Sequence, residues 1–145
     1  MKRTKKDKKL NRILDANRNR ITEALRTCED IVRFYYNNKN LSAKLKNARH
    51  KVFVLFEEIE KETGDNLVNY RDVKNDAGKE PDYDFVEENI NLNDIVIRNF
   101  KRACESIRVC EEVCKVLNIK KLPYKFKKIR FSLYGLEKFF HSLRQ

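Results

Sequence analysis

Apolar residues recur along the chain every three or four positions in four separate stretches. In the first, Leu10, Leu14, Ile21, Leu25, Cys28, Val32 and Tyr35 fall on one helical face, with Asn17 among them. The second runs Leu41, Leu45, Ala48, Val52, Leu55 and Ile59. The third has Leu92, Val96, Ala103, Ile107, Cys110, Cys114 and Leu117, with Phe100 beside the seam. The fourth runs Leu122, Phe126, Ile129, Leu133, Leu136, Phe140 and Leu143. This spacing predicts helices over about 10–38, 42–63, 91–118 and 123–143, because only a period near 3.6 keeps such positions on one face. Ser42 and Asn91 or Asn93 are candidate N-caps, Gly64 is a candidate C-cap, and Pro123 suits a first helical turn.

The links between the first and second helices and between the third and fourth are short, so each pair should form an antiparallel α-hairpin. The fold expected is all-α: an antiparallel four-helix bundle made of two α-hairpins joined by a long acidic crossover loop, 64–90. That loop exceeds the usual length of a structureless connection, and Leu67, Val68, Tyr70 and Val73 are the residues able to pin it. Residues 1–9 read as a basic disordered tail and 10–145 as one domain. With 3 Gly and 2 Pro in 145 residues, the chain lacks the turn residues of a sandwich or barrel. No apolar run is long enough to span a membrane. The basic N-terminus has no apolar segment behind it, so secretion is not expected and a cytoplasmic (or, in a eukaryote, nuclear) setting is.

Charge changes the picture. The chain has 33 Lys and Arg against 22 Asp and Glu, and the excess is uneven: both ends are strongly basic and the middle is acidic. In an up-down-up-down bundle, Arg33, Lys39, Lys44, Lys46, Arg49 and the run from Lys115 through Lys120, Lys121, Lys125, Lys127, Lys128 and Arg130 would share one pole. Glu57, Glu58, Glu60 and Glu62 would occupy the other. On the fourth helix the face opposite the apolar seam carries Tyr124, Lys127, Phe131, Tyr134 and Lys138. Rings interleaved with cations suit base stacking and phosphate contact. The expectation is therefore a non-enzymatic accessory protein binding nucleic acid, DNA or RNA, through its phosphate backbone. Its site residues would be Lys44, Lys46, Arg49, Lys120, Lys121, Tyr124, Lys125, Lys127, Lys128, Arg130 and Phe131. The alternative is an interaction adaptor or homo-oligomer using the basic pole and the Tyr124, Phe131 and Tyr134 stripe.

Other chemistry finds less support in the sequence. Cys28, Cys110 and Cys114 face inward at what would be a similar height, and three thiols could begin a zinc site, but a fourth ligand is missing. Core packing is the better reading, and neither metal nor cofactor is expected. Glu57, Glu58 and Glu60 with Asp84, Glu87 and Asp94 resemble the carboxylate clusters of helical magnesium-dependent pyrophosphohydrolases. Glu57, however, lies opposite the Leu55 and Ile59 seam and should face water. Asp76, Gly78, Glu80, Asp82 and Asp84 lack calcium-loop spacing. Arg98 and Asn99 begin the Arg-Asn-x4-His pattern of two-hairpin helical ribonucleases, but no histidine follows. Neither His50 nor His141 neighbours a nucleophile, and no phosphate-cradling glycine loop is present.

Overall fold

The computed structural model describes residues 4–79 and 89–143. Four long helices carry the fold: α1 (Lys5–Asp30), α2 (Lys39–Thr63), α3 (Leu92–Val116) and α4 (Leu122–Ser142). A π-helical turn, Ile31–Tyr35, continues α1, and a 3-10 turn, Leu67–Tyr70, follows α2. No strand occurs among the described residues.

Local chemistry sets the helix ends. Helix α1 starts inside the segment read as a tail, because Thr4 and Asp7 close a capping box at Lys5. Helix α2 starts three residues ahead of Ser42. Asn37 takes a left-handed conformation, and the Asn38 side chain accepts from the Leu41 N–H. Ser42 is therefore inside the helix and buried, its hydroxyl donating to the Lys39 carbonyl. Gly64 ends α2 at φ +72°, where a side chain would be strained. Asn91 and Asp94 form the capping box of α3, and Pro123 sits in the first turn of α4.

Each helix packs on two others: α1 on α2 and α3, and α4 on α2 and α3. The molecule is a four-helix bundle, and cross-helix contacts give its direction. The Cys28 thiol lies 3.4 Å from the Val96 carbonyl, joining the end of α1 to the start of α3. Tyr36 packs edge-on against Phe140 at 5.6 Å and bonds Asn93, bringing the end of α4 to the same pole. At the other pole the Lys125 ammonium meets Glu58 at 2.9 Å, joining the start of α4 to the end of α2. The order is thus up-down-down-up, not up-down-up-down. All neighbouring pairs are antiparallel, while α2 and α3 run parallel across the diagonal.

That direction explains the crossover. A chain leaving the lower end of α2 must climb the bundle before α3 descends, and 25 helical residues span about 37 Å. Its first part is held to α1. Leu67 is fully buried, Arg71 meets Asp15 at 2.8 and 3.0 Å, and Arg12 donates to the Asp72 carbonyl at 2.9 Å. Of the other expected pins, Tyr70 is half-buried and bonds Asp65, whereas Val68 and Val73 are exposed. Glu80, Asp82, Asp84 and Glu87 lie outside the described residues, as do residues 1–3 of the tail.

The centre is closed by large side chains: Phe56, Phe100, Phe126 and Phe140 are almost fully buried among Leu14, Ile21, Leu25, Leu45, Ile59 and Ile107. Burial of each contributes about 1.5–3 kcal/mol. All four cysteines are free and buried. Burial pushes the Cys28, Cys104 and Cys114 thiols up to about 12 and raises Cys110 as well. The zinc geometry weighed in the sequence does not form. Cys28 sits beside Val96, and Cys110 lies fourteen residues further down α3, about 21 Å away along the helix. No group of three or more candidate metal ligands converges among the described residues.

Candidate functional site

The reversed second hairpin rearranges the charges. Arg33, Lys39, Lys44 and Lys46 remain near the upper pole, but Lys115, Lys120 and Lys121 go to the lower one, beside Glu57, Glu58, Glu60 and Glu62. The basic pole expected from the sequence is therefore divided, and part of it is neutralised by Glu58.

What the fold does assemble is a groove of about 670 Å³ between α2 and α4. Two helical ridges build it. Lys44, Asn47, Lys51 and Val54 follow one another at three- and four-residue steps on α2, as do Lys125, Lys128, Ser132 and Leu136 on α4. Ala48, Leu55 and Ile129 floor it where the two apolar seams meet, and His50 stands at its edge. The result is a concave apolar surface rimmed by cations and a few neutral polar groups, the composition that small-molecule sites share.

The cations are not equivalent. Lys125 is held by both Glu58 oxygens, at 2.9 and 3.0 Å. Lys44 lies over the Phe139 ring, 5.5 Å from its centroid, and Lys128 over Tyr124 at 5.8 Å. Lys51 has no ion-pair partner among the described residues. Among the described residues Lys44, Lys51 and Lys128 thus have no carboxylate partner, and all three are exposed, where attraction to phosphate oxygens is screened by water and salt.

Of the expected site residues, Lys44, Lys125 and Lys128 line the groove. Lys46, Lys120 and Lys121 are exposed outside it. Arg49 turns to the buried Glu29 on α1, at 2.9 Å. Arg130 is only 7% exposed and grips Glu111 (3% exposed) through two bonds of 2.7 and 3.2 Å, with a third to the Tyr134 hydroxyl at 3.1 Å. Those bonds raise its pKa, and the guanidinium is a fastener between α3 and α4, not a phosphate contact. Tyr124, Phe131 and Tyr134 are exposed as expected, at 65%, 57% and 43%. Cations lie beside the rings without burying them, Lys127 and Arg130 over Phe131 at 5.8 and 5.3 Å. Sequence reasoning missed Asn47, His50, Lys51 and Ser132. The available signal was the three-and-four spacing of polar residues flanking each apolar seam.

The α2–α4 groove belongs to a chain that matches the ThiD2 family over residues 12–139. The chain is a member of the ThiD2 family. It is also similar to proteins named thiamine-phosphate synthase. The one from Nostoc punctiforme is 35% identical over 128 residues, covering 87% of this chain and 34% of that protein. The one from Prochlorococcus marinus is 31% identical over 131 residues, covering 90% and 36%. A third, from Rhodopirellula baltica, is 32% identical over 104 residues, covering 72% and 27%. The chain spans about a third of the length of the first curated relatives it matches. No solved structure matches.

Family membership overturns the functional reading made from charge. Relatives named for an enzyme that makes a small phosphorylated molecule replace the non-enzymatic accessory protein and the nucleic-acid partner, and the interaction-adaptor reading falls with them. The physical source of the error is plain: net charge and a lysine-rich helix report attraction to phosphate, and phosphate is common to nucleic acids and to small metabolites. No helix among the described residues is long and apolar enough to cross a membrane.

Proposed function

We propose that this chain is an enzyme of thiamine phosphate formation and that the α2–α4 groove binds a phosphorylated heteroaromatic compound on the way to that product. The observation that carries the reading is the pairing, in one groove, of an apolar floor with Lys44, Lys51 and Lys128, which have no carboxylate partner among the described residues. Ala48, Leu55 and Ile129 offer a flat aromatic ring a surface to leave water for, at about 25 cal/mol per Å² buried. Lys44, Lys51 and Lys128 offer charge to its phosphate, and Asn47 and Ser132 offer directional hydrogen bonds that orient it. The similarity to thiamine-phosphate synthases supplies the chemical class of the ligand. A cytoplasmic setting accords with four unpaired, buried thiols.

Two measurements test the reading. In calorimetric titrations the purified chain should bind thiamine phosphate at least tenfold more tightly than thiamine, with an affinity that weakens as salt is raised. In a host deleted for the gene, growth should require thiamine and should be restored by the wild-type chain. The Lys51→Glu/Lys128→Glu variant should fail to restore it. Growth of the deletion strain without thiamine would overturn the assignment.

A further inference from the structure

The last turn of the first helix departs from the spacing that its sequence carries. Val32 is fully buried, and a regular helix would bring Tyr35, three residues on, toward the same seam. The structure instead turns Tyr35 outward, 67% exposed, and packs Tyr36 against Phe140 with its hydroxyl bonded to Asn93. The cause is the π-helical turn Ile31–Tyr35, in which the Tyr36 N–H donates to the Ile31 carbonyl five residues back, at 3.1 Å. Such turns hold one residue more than an α-helical turn, are rare, and cluster at functional sites. Here the two residues competing for the inward place are both tyrosines. If the bond to Ile31 passes from the Tyr36 N–H to the Tyr35 N–H, the turn becomes α-helical and Tyr35 takes the place of Tyr36. A phenol ring then still meets Phe140, and a hydroxyl still meets Asn93. The outer side of the turn is unrestrained by the core: Phe34 is 71% exposed beneath Arg33, and Tyr35 leans edge-on against Tyr36 at 5.0 Å.

We propose that this turn is a two-register switch in which Tyr35 and Tyr36 exchange places beside Phe140 and Asn93, and that the exchange tunes the upper end of the α2–α4 groove, a consequence that rests on the reading of that groove given above. The two places are joined through the last turn of α4. Phe140 receives Tyr36, while its neighbour Phe139 lies under Lys44, 5.5 Å from the ammonium. In the π register the Asn38 N–H donates to the Val32 carbonyl at 3.0 Å, and the Asn38 side chain accepts from the Leu41 N–H. Asn38 thereby ties the start of α2 to the end of α1. The α register gives the Val32 carbonyl to the Tyr36 N–H, passes one more residue into the link and releases Asn38 from α1. The first turns of α2, Lys44 with them, are then free to leave Phe139. A ligand that needs Lys44 in place favours the π register, because it shifts a two-state equilibrium by as much as its affinity differs between the states.

The test labels the tyrosines with fluorotyrosine and reads the exposure of each ring from the change in its fluorine NMR shift between light and heavy water. Tyr36→Phe keeps a ring on Phe140 but leaves only Tyr35 with a hydroxyl for Asn93. The inward population of Tyr35 should then rise about fivefold, seen as a Tyr35 signal protected from solvent. Tyr35→Phe should hold the π register, with Tyr36 protected. Adding Asn93→Ala to Tyr36→Phe should return Tyr35 to solvent, which general loosening of the turn would not do. A Tyr35 signal that stays fully exposed in Tyr36→Phe overturns the exchange. In calorimetry, thiamine phosphate should bind Tyr36→Phe about threefold more weakly than Tyr35→Phe, since less of the former is in the binding register. Equal binding overturns the link to the groove and leaves the groove reading standing. No binding by the wild type at low salt overturns the groove reading and the link together, while the fluorine signals still decide the exchange.

Discussion

Two faces of α4 hold basic residues only two positions apart, and they behave in opposite ways. Lys128 faces α2, lines an open groove and has no carboxylate partner among the described residues. Arg130 faces α3, is buried and is fully engaged by Glu111 and Tyr134. In sequence both belong to one basic run. The difference arises from what stands opposite: beside Lys128 α2 presents Lys51 and apolar side chains, its Glu58 being taken by Lys125, whereas α3 presents a buried glutamate. The same division repeats elsewhere, with Asp15 taken by Arg71 and Glu29 by Arg49. Buried acids collect arginines and hold elements together, while Lys128 on the groove side is left without an acid among the described residues.

The strongest way to break this comparison is to remove an acid from the fastening side. Glu111→Ala strands the Arg130 guanidinium in the core and should destabilise the bundle by about 3–5 kcal/mol in urea denaturation. Replacing both partners, as Glu111→Leu/Arg130→Met, should recover most of that loss. On the groove side the signs separate. Lys51→Glu/Lys128→Glu should weaken thiamine phosphate binding more than tenfold in calorimetry while shifting stability by no more than about 0.5 kcal/mol. A stability loss as large as that of Glu111→Ala would erase the distinction between the two faces.

The buried thiols sharpen the same contrast, since they lie on the packed side. Their folded pKa values, about 12 for Cys28, Cys104 and Cys114, stand above the ordinary value of 9.0. A thiol that ionises only when unfolded favours the unfolded state at high pH. Stability should therefore be unaffected by these groups below pH 9 and fall between pH 9 and about 12, by up to about 1.4 kcal/mol per thiol per pH unit. Urea midpoints at pH 8 and pH 10 check this, and equal midpoints would contradict it. The smallest expected effect is local: Asn91→Ala removes the exposed cap of α3 and should cost about 1 kcal/mol, seen as a small fall in the urea midpoint without loss of binding.

Much of the architecture was legible in the residues. The four apolar stripes located the helices, Gly64 and Pro123 marked ends, and the two short links implied two hairpins. Ser42 misled because a hydroxyl caps a helix only if the chain ahead of it is non-helical, and Asn37 and Asn38 had already ended the turn. The candidate site was half legible: Lys44, Lys125 and Lys128 were singled out, but as members of a pole instead of a groove.

The sequence by itself determined that four amphipathic helices would bury one seam each, because burial follows a period that any one helix carries alone. Helix direction, and with it the site, was decided only by tertiary structure. Reversing the second hairpin leaves every stripe facing the core, so periodicity is blind to it. It changes which charges meet, placing Lys125 on Glu58, Arg130 on Glu111 and Cys28 level with Val96. Those contacts depend on the positions of two helices together, and so the difference between a basic pole and a lysine-rimmed groove appears only when the bundle is assembled.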